Sequence, residues 1–178
     1  RRPLLKTTSP SMDILVSSNL ERLLYLLSGD TALVAGLMKD LNEQGFYKVP
    51  DSLLAAIQAE FAAGYCDDAR AEDYIGKVYR DHGYLMDPHT ACGWAVAERQ
   101  KGKNPMVVLS TASPYKFSTA VLTAIGGDTS GSEYDRMERL QALTGVPIPA
   151  NLAALREKPE RHTGVIPKEK MLEFVLGR

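Results

Sequence analysis

At 178 residues the chain is long enough for one ordinary domain or for half of a two-domain fold. With 44% hydrophobic and 24% charged residues it is folded and globular rather than disordered, and 21 Lys plus Arg against 22 Asp plus Glu leave a net charge of -1 and no basic stripe for a nucleic acid. Its apolar runs are only a few residues long, far short of the ~20 needed to cross a bilayer, so neither nucleic acid nor membrane is expected as a partner.

The chain opens on Arg1-Arg2-Pro3-Leu4, without an initiator methionine or a signal sequence, and is expected to be part of a longer protein. Met12 to Val16 is a short apolar run suited to a buried strand. Ser18 and Glu21 then have capping-box spacing, with Leu20, Leu23, Leu24 and Leu27 on one helical face before Gly29. A second helix is expected from Thr31 to Gln44 with Gly45 as its end, and Asp51 can cap a third through Leu54 and Ile57. Phe61 to Cys66 fits a helix or a strand, and strand is preferred.

Helices follow at Ala69 to His82, with Ile75, Val78 and Tyr79 buried, and at Pro88 to Arg99, where Pro occupies the first turn. Met106 to Leu109 is the second clear strand. Helices then run over Pro114 to Ile125, Ser132 to Leu143, Asn151 to Arg156 and Lys168 to Leu176, with Gly126 to Gly131 and Lys158 to Pro167 as candidate linkers. Alternating strands and helices predict a strand-poor α/β architecture around a parallel sheet.

Cys66 and Cys92 are far apart in sequence and belong to no C-x-x-C pair, which suits small core residues in a reducing cytosol. His82, His89 and His162 lack metal-ligand spacing with the nearby carboxylates, so no metal site is expected. Gly126 to Gly131 has no G-K-[ST] ending, and no G-x-S-x-G occurs.

Three places carry candidate chemistry. Ser110 and Thr111 follow the strand at Met106 to Leu109, where open α/β sheets bind ligands, although Ser110, Thr111 or Ser113 could equally cap the next helix. Asp87 before Pro88 reads as a helix N-cap and leaves His89 unexplained. Ser18 and Asn19 open a helix whose free N-H groups could hold an anion with Arg22 one turn on, or could simply be capped, with Arg22 solvated or paired to Asp13.

The stretches T-T-S-P-S-M-D-I-L-V-S-S-N-L-E-R at Thr7 to Arg22, D-P-H-T-A at Asp87 to Ala91 and V-V-L-S-T-A-S-P-Y-K-F at Val107 to Phe117 resemble, in this order, the C-terminal part of threonine synthase. The resemblance implies part of the large cofactor-binding domain of the tryptophan-synthase-β-like pyridoxal-phosphate fold, an open parallel sheet with the cofactor between two domains. All of 1–178 would lie in that domain, with the N-terminal domain and the Schiff-base lysine segment absent; no catalytic residue is assigned to this chain, and Lys116 matches a family lysine that is not the Schiff-base residue.

The complete, cytoplasmic enzyme would use pyridoxal phosphate to convert O-phospho-L-homoserine and water to L-threonine and phosphate, and the fragment alone would be inactive. Thr111 matches the threonine expected to bond the cofactor's ring nitrogen, with Ser110 beside it. Asp87 and His89 would wall the pocket, and Ser18, Asn19 and Arg22 would meet the substrate. Ser113 and Tyr115 depart from another branch of the family, which has His and Ala there. Two alternatives remain: a stand-alone interaction or ligand-binding module, and a dehydratase of the same cofactor class.

Overall fold

A computed structural model describes residues 3–100 and 102–177, so the opening Arg1-Arg2 pair lies outside the described residues. Two compact units divide the chain, residues 1–147 and 148–178, a boundary that neither candidate linker marks. The first unit holds seven α-helices among its described residues: α1 Ser18–Ser28, α2 Thr31–Gln44, α3 Asp51–Glu60, α4 Asp68–His82, α5 Pro88–Arg99, α6 Ser118–Ala124 and α7 Glu133–Thr144. Short 3-10 turns at Pro10–Met12 and Pro114–Phe117 complete it.

The helix ends follow from local chemistry. Gly29, Gly45, Gly83 and Gly145 each take the left-handed conformation one residue past a helix, which side chains with a Cβ resist. Asp30, Asp67 and Asp87 cap α2, α4 and α5, and Ser132 forms a full capping box with Asp135 at α7. Two expected caps fall elsewhere. Ser17, not Ser18, caps α1, which moves Glu21 out of capping-box register, and Asp51 is the first residue of α3 behind an uncapped Pro50.

Leu24, Val34, Leu37 and Leu53 bury one small core between α1, α2 and α3, with Leu27, Tyr47 and Ile57 packed against it. The expected stripe of α1 is narrower than its sequence suggests, since Leu20 is exposed and Leu23 only half-buried. A second core gathers Ile75 and Val78 of α4, Ala91 and Ala95 of α5, Val121 and Leu122 of α6, and Met137 and Leu140 of α7. Tyr79 is half-buried. Cys66 and Cys92 are both free and partly buried, and desolvation, with Cys92 nearby, pushes the Cys66 thiol up.

None of the three expected strands is a strand among the described residues. Met12 closes a 3-10 turn, and Ile14, Leu15 and Val16 follow it exposed. Phe61 to Cys66 and Met106 to Leu109 have no regular structure, with Tyr65 82% and Val107 80% exposed. A strand exists only through the hydrogen bonds of a neighbour, and these apolar runs have no neighbouring strand among the described residues to supply them.

Gly126 to Gly131, expected to be a linker or flexible loop, is clamped instead. Arg139 donates to the carbonyls of Asp128 and Ser130, Arg136 donates to those of Thr129 and Gly131, and Arg139 also pairs with Asp128 at 3.3 Å. The long helix expected over Pro114 to Ile125 is a 3-10 turn followed by α6. Among its described residues the second unit holds two short helices, α8 Ala150–Ala153 and α9 Met171–Val175, each adjoined by a 3-10 turn, and Lys158 to Pro167 has no regular element.

Glu133 ties α7 to the start of α6. It accepts from the buried Ser118 hydroxyl at 2.6 Å and from Arg136 at 2.6 Å, and these bonds, the serine first, hold its carboxyl below the usual range. A carboxylate with a lowered folded value contributes stability above its unfolded value, about 4.3, and loses it as pH falls through the folded value. Glu133→Gln is therefore expected to be less stable than the native protein at pH 7, with the gap narrowing below about pH 4.3. Denaturant titrations at several pH values check this; a gap independent of pH would contradict it.

Candidate functional site

Asp87 is an N-cap of unusual burial. Its Oδ1 accepts the His89 backbone N-H at 2.9 Å, the ordinary capping bond, and Pro88 occupies the first helical position, where a missing N-H costs nothing. Most cap carboxylates face water, whereas this one is 0% exposed, and Leu85 and Met86 just before it in sequence are buried too. Two further donors compensate: His89 Nδ1 at 2.8 Å on the same oxygen, and the Thr90 hydroxyl on Oδ2.

His89 has both ring nitrogens engaged. Nε2 lies 3.3 Å from the Ser11 backbone N-H, which can only donate, so Nε2 accepts and the ring proton sits on Nδ1 facing Asp87. The edge of the ring meets Phe117, with centroids 4.7 Å apart at 60°. An imidazole held on both nitrogens and 7% exposed pins the first turn of α5 to the loop that carries Ser11.

Ser11 belongs to a loop that folds on its own polar groups. Asp13 accepts the Thr7 N-H at 2.8 Å and the Thr7 hydroxyl at 2.7 Å; these bonds, the backbone one first, hold the Asp13 carboxyl below the usual range. Arg22, an alternative partner for Asp13, donates to Asn19 instead. Thr8 fastens the loop to α4 through its N-H and its hydroxyl, both on Asp68 Oδ1, at 3.0 and 2.9 Å.

The third segment meets the first turn of α5 at Thr90. Thr90 Oγ1 lies 3.4 Å from Ser110 Oγ. Ser113, rather than Ser110 or Thr111, caps the turn at Pro114–Phe117 by accepting from Tyr115 N-H at 3.3 Å. Tyr115 is buried and anchors that turn by donating its hydroxyl to the Val146 carbonyl. Ser110 and Thr111 consequently cap no turn and are exposed, and Lys116 is exposed beside Phe117.

Three stretches distant in sequence thus meet around Asp87: the loop at 7–13, the first turn of α5, and residues 110–117. Asp87, His89 and Ser110 were singled out in the sequence and are brought together. Ser18, Asn19 and Arg22 lie exposed in the first turns of α1, and no hydrogen bond among the described residues joins them to this network. Thr90, Ser11 and Phe117 were missed. Thr90 alone had a local signal, a hydroxyl three residues past a cap; the other two become neighbours only in the fold. No three metal-ligating side chains cluster among the described residues, and no helix there is long and apolar enough to cross a membrane.

The profile of the threonine synthase C-terminal region matches residues 90–175. Threonine synthase of Pseudomonas aeruginosa is 38% identical over 172 residues, covering 94% of this chain and 33% of that protein. Human threonine synthase-like 1 is 38% identical over 126 residues, covering 70% of this chain and 17% of that protein. Among solved structures, pyridoxal-phosphate-bound threonine synthase from Brucella melitensis aligns with a TM-score of 0.69 at 44% identity, over 78% of this chain and 31% of that one. Yeast threonine synthase aligns with a TM-score of 0.72 at 27% identity, over 90% and 33%. The chain spans a third or less of the length of these relatives.

Proposed function

The chain corresponds to the C-terminal portion of threonine synthase, and on that premise we propose that the complete protein is a pyridoxal-phosphate-dependent lyase converting O-phospho-L-homoserine and water to L-threonine and phosphate. One observation carries the assignment of its site: Ser110 and Thr111 cap no turn and lie exposed beside the Asp87 network, because Ser113 performs the capping that sequence alone could have given to any of the three.

The donor set suits that cofactor. Thr111 would hold the ring nitrogen with Ser110 alongside, while Asp87 and His89 form the wall behind them. When bound, the cofactor supplies the electron sink that makes the substrate's carbon-hydrogen bonds acidic. The chain's own share is to orient the ring, keep one wall of the cleft rigid and exclude water from behind it. Ser18, Asn19 and Arg22 are the proposed contacts to the substrate's anionic groups, supported by their place in the first turns of α1.

The runs expected as strands at Met12 to Val16, of which Met12 belongs to a 3-10 turn, Phe61 to Cys66 and Met106 to Leu109 are proposed strands of an open parallel sheet completed by the rest of the protein. Their support is that each is exposed in large part and each leads into a helical segment, as a strand-to-helix crossover requires.

The test uses the full-length protein. Thr111→Val keeps the shape and deletes the hydroxyl, and is expected to weaken cofactor affinity by about 1–3 kcal/mol, roughly 5- to 150-fold, with slower release of phosphate and threonine and an unchanged circular dichroism spectrum. Normal affinity and turnover in that variant would reject Thr111 as cofactor partner. A full-length protein that makes no threonine from O-phosphohomoserine but deaminates serine or threonine would favour the dehydratase, and one that binds no cofactor at all would favour a binding module.

A further inference from the structure

The stretch before α4 is laid along one face of α5. Gly64 faces Val96 so closely that an added Cβ would stand 2.9 Å from Val96 Cγ1, and the Tyr65 carbonyl accepts from Arg99. Arg99 is steadied in turn by donating its Nε to the Ala95 carbonyl at 3.2 Å. Cys92, Val96 and Arg99 stand at i, i+4 and i+7, one stripe of the helix, whereas an added Cβ at Gly93, on the neighbouring face, would meet Val108 at 3.7 Å. The contacts of Gly64 and Tyr65 therefore fall on the stripe that carries Cys92.

Register brings the second cysteine to it. Two residues of extended chain, Gly64 to Cys66, advance about 6.6 Å, and four residues of helix, Val96 back to Cys92, about 6 Å. With Gly64 seated on Val96, Cys66 comes level with Cys92, and its thiol feels that neighbour: desolvation first, then Cys92 and Asp67, push it up against the opposing pull of Arg70 and Arg99. Both thiols are free and partly buried, so small reagents can reach them. Cys66 Sγ donates to the adjacent Asp67 carbonyl at 3.4 Å, a weak bond that leaves the sulfur able to turn.

We propose that Cys66 and Cys92 are a dithiol site that closes to a disulfide by exchange with a low-molecular-weight disulfide such as oxidised glutathione. The thiolate of one cysteine attacks a sulfur of the reagent, the reagent's S-S bond breaks and one small thiolate leaves. The second cysteine then attacks the first cysteine's sulfur in that mixed disulfide and expels the other small thiolate. The two cysteines are together oxidised by two electrons, the reagent is reduced to two thiols, and the cysteine protons end on those thiols. The new bond fastens the stretch before α4 to the middle of α5, the helix whose first turn carries Asp87 and His89. None of these contacts involves the cofactor or substrate assigned above.

The experiment treats the full-length protein with oxidised glutathione, blocks the remaining thiols by alkylation, and reads tryptic peptides by mass spectrometry. Arg70, Lys77 and Arg80 separate the two cysteines into different peptides. Native protein is expected to lose both free thiols together and to yield the Cys66 peptide joined to the Cys92 peptide, with no lasting glutathione adduct, and dithiothreitol is expected to restore both thiols. In Cys92→Ser the glutathione adduct on Cys66 is expected to persist, because its resolving partner is gone; Cys92→Ala replaces the serine variant if the latter does not fold.

Glutathione adducts that persist on both cysteines of the native protein overturn the site, as do two thiols that stay free while the urea-unfolded protein reacts. A linked peptide formed as readily in urea as in the native protein also overturns it, since the fold would then contribute nothing to the pairing.

Discussion

Asp87→Ala is expected to destabilise the full-length protein by about 3 kcal/mol or more, well beyond the loss of an ordinary helix cap. Removing the carboxylate strands the His89 backbone N-H, His89 Nδ1-H and the Thr90 hydroxyl away from water, and each buried donor left without an acceptor costs about 1–3 kcal/mol. Asp67 provides the control, since it caps α4 by accepting a backbone N-H, that of Arg70, but is exposed; Asp67→Ala should cost about 1 kcal/mol. Asp87→Asn should fall between them, because an amide oxygen still accepts from His89 while the amide nitrogen can donate to Thr90. Denaturant unfolding of the three variants decides the matter, and equal losses for Asp87→Ala and Asp67→Ala would remove Asp87 from the centre of the network.

Gly76→Ala is expected to destabilise by about 1–3 kcal/mol, against the usual sign for a glycine inside a helix. Replacing a mid-helix glycine by alanine ordinarily gains up to about 1 kcal/mol. At Gly76 an added Cβ would stand 2.5 Å from the Ala124 carbonyl oxygen, and a backbone atom cannot rotate aside as a side chain can. The end of α6 would have to retreat from α4. Gly36, inside α2 with nothing within 4 Å of an added Cβ, should instead gain stability as alanine. Thermal unfolding of both variants reads opposite signs directly, and stabilisation by Gly76→Ala would show that α4 and α6 approach less closely. The close approach matters for the site, because α6 follows directly on the turn that carries Phe117 to His89.

Much of the helical frame was legible because helix ends are local chemistry. Thr31 to Gln44 and Pro88 to Arg99 agree with α2 and α5 to the residue, each bounded by an aspartate cap and a residue where the helical path stops. Where neighbouring residues could do the same job, sequence lost resolution. Ser17 and Ser18 compete for one cap, as do Ser110, Thr111 and Ser113 for another, and the choice depends on which backbone turns first. Clamping of the Gly126 to Gly131 loop was invisible for a different reason: its restraints come from Arg136 and Arg139, whose side chains reach back from the next helix.

By itself the sequence determined the starts and stops of α2 and α5, the identity of Asp87 as a cap and the likeness of three ordered stretches to threonine synthase. These depend on residue type and spacing over a few positions. Only the tertiary structure decided that the Asp87 carboxylate is buried, that His89 is held by Ser11 from 78 residues away, and that Ser110 and Thr111 are not used for capping. Burial and long-range hydrogen bonds are properties of packed neighbours. The runs at Met12 to Val16, Phe61 to Cys66 and Met106 to Leu109 carry the same lesson in reverse: β-branched and apolar side chains prepare a segment to be a strand, and hydrogen bonds from a neighbouring backbone make it one.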